Sequence, residues 1–434
     1  MIAEEAAAPA PVGTIRSGYK HYVLAILTLV YVVNYLDRQI LNVLLPLIKK
    51  EFLLPDAALG ALSGTVFAVV YATLGVPLAI FADRFNRRNI IAGSLAVFSL
   101  MTVFCGLASR FWHLVLARFG TGIGESGTGP SINSILTDYY EPQHRATALS
   151  FYSAGLNVGL LIGFFAGGWI AEHYGWRDAF LAAGAPGLLL VFVVQFTVRE
   201  PIRGAAERMA DVGTAPPFWS VVVRLWSLES FRWLAVGTGM NAFGGYALVA
   251  FLPLFLYTSH HMSPVQIGVT LALLTGIPGA IGTFFSGVLA DRCGKREPRA
   301  LMFVPMIGVL IAIPFGPIVY LSQSTAIAIA AAIIPAFMGA IYVGPALAAT
   351  QSMVPPRMRA TAVALFLFIL NIIGLGLGPV TVGWVSDLLH PSLGADSLRW
   401  ALMLTLISGS IAALCYWRAS RTLGPDMSAG QTLA

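Results

Sequence analysis

This sequence predicts an all-α polytopic membrane protein of twelve transmembrane helices in two pseudo-symmetric six-helix bundles. Three observations predict it: too little charge for a soluble surface, apolar blocks long enough to span a bilayer, and an internal repeat. Charged residues make up 11% of the 434-residue chain and hydrophobic ones 57%, with a mean hydropathy of +0.78. Soluble domains carry about a quarter of their residues as charges, because a water-facing surface needs them. Residues 90–108, 179–198, 300–321 and 401–417 each read through with almost no charge, and about 20 apolar residues carry a helix across ~30 Å of hydrocarbon.

In chain order, residues 1–20 are Ala/Pro-rich with Glu4 and Glu5. They lack the apolar core and small-residue cleavage site of a secretory signal and are expected to form a disordered tail. Helices are expected near 22–45, 58–82, 89–108, 112–136, 145–172 and 177–198, giving a first bundle over 21–198. Residues 199–230 are polar and read as an interdomain linker, although Trp219 and Trp226 make 217–233 a segment that equally suits the membrane surface. Six more helices near 232–257, 265–290, 299–321, 325–350, 359–387 and 398–418 form a second bundle over 231–420, followed by a tail at 421–434.

The basic residues orient the chain. Loops that share a face with the termini carry Arg84, Arg87, Arg88, Arg145, Arg199, Arg203, Arg292, Lys295, Arg296 and Arg357 among others, whereas the opposite loops carry only Lys49, Lys50, Arg110, Arg177 and Arg399. This asymmetry predicts cytoplasmic termini in a cell (inner) membrane. The +6 formal charge is therefore better read as an orientation signal and does not point to nucleic acid. Cys105, Cys293 and Cys415 fit no metal or redox spacing and read as buried thiols.

The halves repeat each other. Ala82-Asp83-Arg84 through Arg87-Arg88 follows the second helix, and Ala290-Asp291-Arg292 through Lys295-Arg296 follows the eighth. Arg145-Ala146-Thr147-Ala148 opens the fifth helix and Arg359-Ala360-Thr361-Ala362 the eleventh; each then carries an Asn (Asn157, Asn371) and a Gly-Trp (Gly168-Trp169, Gly383-Trp384). Two parallel six-helix halves with a site between them is a transporter design.

These residues resemble the major facilitator superfamily over about residues 20–420. The Asp-Arg loops at 83–88 and 291–296 are similar to its cytoplasmic gating motif, the first copy having Ile80 and Asn86 where glycines are usual. Arg118 resembles the fourth-helix arginine, and Gly155, Gly159, Gly163, Gly167 and Gly168 resemble the fifth-helix exporter motif, with Phe164 in place of its proline. Asn34-Tyr35-Leu36-Asp37-Arg38 and Gly124-Glu125 through Gly129-Pro130 resemble the bacterial spinster-like branch, and anion:cation symporters carry similar motifs. The resemblance implies a cavity bordered by helices one, four, seven and ten. For the spinster-like branch it further implies movement of sphingolipids and lysolipids with proton coupling, without any other cofactor.

Charges at membrane depth cost at least ~2.5 kcal/mol each and mark function by default. Asp37 and Arg38 lie ~22 Å along the first helix from Tyr22 at 1.5 Å per residue, and as neighbours ~100° apart they need separate partners. Arg118 and Glu125, seven apart, share a face of the fourth helix. The expectation is that Asp37 and Glu125 border the cavity as proton-coupling acids, with Arg38 and Arg118 as counter-ions or head-group ligands. Asp83, Arg84, Arg87, Arg88, Asp291, Arg292, Lys295 and Arg296 are expected to form a cytoplasmic gate, or else simple positive-inside anchors. The glycines of helix five serve close packing as readily as export, and Gly129-Pro130 and Gly344-Pro345 are expected bending points.

Helices seven to twelve offer no charge at mid-depth, only Asn241, Tyr246, Tyr342, Thr350 and Asn371 amid apolar residues. Asn157 and Asn371 read either as polar groups of the cavity or as interhelical hydrogen-bond formers, the commoner use. A cavity charged on one wall and apolar on the other suits an amphipathic solute. Three readings result: a proton-linked exporter or flippase of lysolipids or sphingolipid-like amphiphiles, a proton symporter of small organic anions such as aromatic or sugar acids, and a non-transporting receptor on the same scaffold. The first is expected, acting as a monomer with membrane lipid as its partner. There is no phosphate loop, catalytic elbow or metal-spaced cluster, and His260-His261 lacks a third ligand, so an enzyme is not expected.

Overall fold

The computed structural model describes residues 17–201 and 217–431, and among them every regular element is helical. Ten helices are long and apolar enough to cross a membrane by length and composition alone. The last of these, Thr361–Ser428, is two passes run together. The fourth pass, Phe111–Tyr139, stands outside the ten because Gly, Ser, Thr, Arg118 and Glu125 dilute its hydropathy. Twelve passes therefore cross, as the apolar blocks require.

The passes begin with Ser17–Phe52 and a second built from Asp56–Gly60, a π-helical turn Ala61–Thr65 and Val66–Arg84. Arg87–Gly106, Phe111–Tyr139, Pro142–His173 and Trp176–Thr197 complete the first half. A linker helix, Phe218–Ser227, leads into Glu229–Ser259 and Pro264–Arg296. The ninth pass is Ala300–Ala312 with Phe315–Leu321, and the tenth is Thr325–Met338 with Val343–Ser352. The eleventh joins Arg359–Asn371, a second π-helical turn Ile372–Leu377, and Gly378–Leu393; the twelfth is Leu404–Gln431.

Some boundaries differ from the sequence reading. Ser17 already starts the first helix, and the twelfth runs on to Gln431 rather than ending in a tail. Leu423 and Met427 pack into the second half's core, and Asp426 accepts the Ser230 N–H at 3.0 Å, so burial and a hydrogen bond hold the extension. Of the two expected bends, Pro130 is absorbed in a continuous fourth helix, whereas the tenth breaks just before Gly344-Pro345.

Helix five shows why its glycines recur every fourth residue. A Cβ on Gly155 would lie 3.0 Å from Thr28 Cγ2, one on Gly163 2.8 Å from Leu36 O and one on Gly167 2.7 Å from Ile40 Cγ1, and one on Gly159 would overlap Val32 O. Successive turns of the first helix sit on this rail, so backbone approach, not solute contact, explains the motif.

The two halves meet unevenly. We call the face where the first pass begins and the twelfth ends proximal, and the other distal. Toward the distal face one apolar cluster draws Leu44, Leu59 and Phe164 from the first half and Phe251, Ile267 and Val382 from the second. Toward the proximal face the cores are separate, with Val23, Leu95 and Ile135 in one and Phe231, Met302 and Phe366 in the other. The halves are joined distally.

Substituting Gly159→Val should push the first helix off its rail. We expect a loss of ~1–3 kcal/mol of stability, the usual cost of overpacking, read as a lower unfolding temperature in detergent; an unchanged midpoint would contradict the close-packing account.

Candidate functional site

The first and fourth passes are joined by polar rungs at membrane depth. Arg38 Nε donates to Glu125 Oε2 at 2.8 Å, Arg118 donates to Asp37 Oδ2 at 3.0 Å, and Asn34 donates to Thr128 Oγ1 at 3.0 Å. Consecutive residues on the first helix thus reach partners two turns apart on the fourth, as a ~100° step between neighbours dictates. All four predicted charged residues come together, but not as equals.

Asp37 is 1% exposed and its second oxygen accepts from Thr102 Oγ1 at 2.8 Å. Expected at the cavity wall, it lies instead inside the first half, where Thr102 of the third pass and Arg118 of the fourth engage its two oxygens. Arg118 is equally buried. The Arg38–Glu125 pair sits differently: the Arg38 side chain keeps 21% of its surface, and Glu125 Oε1 has no hydrogen-bond partner. The Arg38 guanidinium lies 4.3 Å from the Phe67 ring centroid and 5.3 Å from those of Tyr35 and Tyr71, which shield it as a cation–π cage. Phe67 in turn packs on Leu375, with Tyr71 and Tyr246 against them, so this pair lies where the halves touch.

The second half contributes a cavity of about 440 Å³. Asn241, Tyr246 and Tyr342 line it, with Thr275, Tyr320, Thr405 and Ser408 as further polar groups, and Leu160 and Phe164 of the fifth pass close one side. The rest of its wall is apolar, and Asn241 Nδ2 is buried without a hydrogen-bond partner. Asn371 does not join this lining: its amide donates to Leu367 O of its own helix at 2.9 Å. Asn157 is partly buried on the fifth pass and is also not part of the wall. No group of three or more potential metal ligands occurs among the described residues.

The predicted gate divides. The side chains of Asp83, Arg84, Asp291, Lys295 and Arg296 lie outside the described residues, Arg292 is exposed, and Arg88 donates to the neighbouring Asn89 side chain. Arg87 is 2% exposed and bonds within its own half, to Glu200 Oε1 at 2.7 Å, Ser134 Oγ at 2.8 Å, Pro201 O at 3.1 Å and Asp138. It staples the starts and ends of passes three, four and six and, among the described residues, bonds to nothing in the second half. Asn86, in place of a motif glycine, caps the third pass by accepting the Asn89 N–H at 3.1 Å.

A distal clamp, which sequence reasoning missed, is built twice. The Gly of each Gly-Trp pair receives the start of the other half's second pass: a Cβ on Gly383 would lie 2.8 Å from Ala57 N, and one on Gly168 3.1 Å from Pro264 C. Four residues on, an acid caps that same helix start. Asp387 accepts the N–H groups of Asp56 and Ala57, both at 2.8 Å, and Glu172 accepts that of Val265 at 2.8 Å, position 264 being a proline with no N–H to give. Negative charge at a helix N-terminus is favoured by the dipole and the free N–H groups. Ser386 donates to Asp56 Oδ2 at 2.7 Å, and Lys49 pairs with Asp56. Leu53 and His261, three residues before each helix start, share a left-handed φ of 52°. The signal was present in Pro55-Asp56 as a helix start and in the acid four residues past each repeated Gly.

Two parallel helical halves around a polar pair and an apolar cavity define a multi-pass membrane transporter. The model of the Major Facilitator Superfamily matches residues 27–379 and 234–429, and the chain belongs to that family. It is 33% identical to an MFS-type efflux pump of Mycolicibacterium smegmatis, over 93% of each chain, and 28% identical to protein spinster homolog 1 of Xenopus tropicalis, over 91% of this chain and 79% of the relative. It superposes with a TM-score of 0.88, at 33% identity over 95% of this chain and 99% of the other, on the crystal structure of a bacterial homolog to the human lysosomal transporter Spinster in an inward-facing, unoccupied conformation.

Neutralising both caps, Asp387→Asn with Glu172→Gln, should loosen the distal closure. Hydrogen bonds to charged groups contribute ~1.5–3 kcal/mol, about a tenfold shift in population or more. Spin labels at positions 53 and 393 would then report a longer distal separation; an unchanged distance distribution would remove the clamp from the mechanism.

Proposed function

We infer that this transporter moves amphiphiles with an ionised head and a single apolar tail, of the lysolipid or sphingolipid type, by proton-coupled alternating access between the halves, as an exporter or flippase. The observation that carries this is Tyr246, which both packs beside the Arg38–Glu125 pair and lines the apolar cavity. A head group at the pair and a tail in the cavity then occupy contiguous space. About 440 Å³ falls in the range of small-molecule sites, and a wall without a cation gives a small organic anion little to bind. The names of the efflux pump and spinster relatives support export and a spinster-type solute.

Coupling is assigned to Glu125. Its free Oε1 offers a place for a proton, and protonation would release Arg38 to an anionic head group, an exchange that biases one state over the other. Asp37, with both oxygens engaged, is assigned to hold Arg118 and the fourth helix. The proximal face is taken as cytoplasmic from the arginine asymmetry, which makes the distally joined arrangement inward-facing and the clamp its latch.

In proteoliposomes, Glu125→Gln should abolish transport of a labelled lysolipid driven by a pH gradient while binding persists; proton dependence that survives would sink the assignment. Asp37→Asn should instead cost ~3–5 kcal/mol of stability by orphaning a buried arginine, seen as a lowered unfolding temperature. Filling the cavity with Ala336→Phe should weaken binding of long-chain lysolipids several-fold while sparing short-chain ones. A uniform loss over all chain lengths would place the tail elsewhere.

A further inference from the structure

The linker helix Phe218–Ser227 has two apolar sides. Val221 and Leu225 are fully buried in the second half's core. Turned away from them, Trp219 is 73% exposed, Val223 68% and Trp226 52%, at spacings of four and three that put them in one stripe. Ser220, Arg224 and Ser227 occupy a third edge. Protein on one side, polar groups on another and bare tryptophans on the next is the cross-section of a helix lying at a membrane–water boundary, where tryptophan concentrates.

A second observation comes from the arginines of the passes around it. The linker helix packs against the starts of the seventh and eleventh passes. There Arg232, Arg357 and Arg359 are exposed, and at the same face of the twelfth pass so are Arg418 and Arg421, both over the Trp417 ring. Among the described residues none of these five pairs with a carboxylate. Basic groups at the rim of a membrane protein draw anionic head groups.

We propose that the Trp219–Val223–Trp226 stripe and this arginine rim form one lipid-binding surface, on which the second half rests against the anionic phospholipid of the proximal leaflet. The stripe inserts at the level of the acyl–head-group boundary, and the guanidinium groups hold lipid phosphates beside it. This surface lies apart from the transported solute's path and does not depend on what that solute is.

The test uses the full chain in lipid nanodiscs of phosphatidylcholine alone or with one-third phosphatidylglycerol. Single spin labels go to positions 219, 223 and 226, and to 220 and 227, with the three native cysteines replaced by alanine. Labels on the stripe should favour dissolved oxygen over an aqueous nickel complex several-fold, and those at 220 and 227 the reverse. Phosphatidylglycerol should deepen position 223, and Arg357→Gln with Arg359→Gln should remove that effect. Equal nickel access at all positions would mean a solvated helix, and protection from both reagents a protein-covered one; either overturns the proposal. As a label-free control, brominated lipid should quench less of the tryptophan emission in the Trp219→Phe, Trp226→Phe variant than in the native chain, and equal quenching would also count against it.

Discussion

A charge in hydrocarbon persists only beside an opposite charge, and the pairing of Asp37 and Arg38 with Arg118 and Glu125 organises the first half of this protein. The cost of removing two ions from water is recovered only with good geometry and further hydrogen bonds. Thr102 on Asp37 and the aromatic ring cage on Arg38 supply those contacts. Because both ion pairs join the same two helices, the first and fourth passes are fixed in register and rotation. The glycine rail on the fifth pass then seats the first helix from its other side. Little freedom remains within the half, so it is suited to move as a rigid body.

The same economy holds between the halves. A pseudo-twofold relation means that any contact made by one half against the other is offered twice, and the distal clamp uses both copies: a glycine socket, an acid four residues later, and a left-handed residue ahead of each capped helix. The copies are not equal. Asp387 holds two N–H groups and its helix start adds Ser386 and Lys49, whereas Glu172 meets a proline and holds one. The closure is therefore stronger on the side of the second and eleventh passes. There the two π-helical turns also face each other, with Thr65 Oγ1 donating to Gly376 O at 2.6 Å. π-helical turns leave backbone groups free to re-pair and often sit at moving parts, which fits a joint that must open.

Much of this was legible in the sequence. Apolar block length gave the twelve passes, and the repeated Asp-Arg and Gly-Trp pairs gave the two halves. The 100° step between Asp37 and Arg38 required separate partners, which the fourth pass provides. What the sequence could not tell was direction within the bundle. Asp37 and Glu125 look alike as buried acids on cavity-type helices. Only side-chain rotation distinguishes the one locked against Thr102 from the one at the junction. Arg87 reads as part of a gate by position, yet its partners Asp138 and Glu200 are 51 and 113 residues away. The clamp escaped notice because Asp56 and Asp387, 331 residues apart, are ordinary helix-end acids until folding brings them together.

That difference between the two buried pairs has a mechanical consequence. A pair sealed inside the half with both carboxylate oxygens hydrogen-bonded has no inexpensive alternative state, so Asp37–Arg118 serves as a fixed strut even though Arg118 Nε is itself buried without a partner. The Arg38–Glu125 pair has a spare carboxylate oxygen, an arginine side chain that is only partly buried, and a ring cage that already shares the cation. Its two members can therefore part without leaving either uncompensated: Glu125 by taking a proton, Arg38 by turning to its aromatic cage or to an arriving anion. Since Phe67 carries that cage and also packs against Leu375 of the second half, a change at the pair bears directly on the contact between halves. On the proposed coupling, the switch and the joint are neighbours, and no long-range relay is needed to connect them.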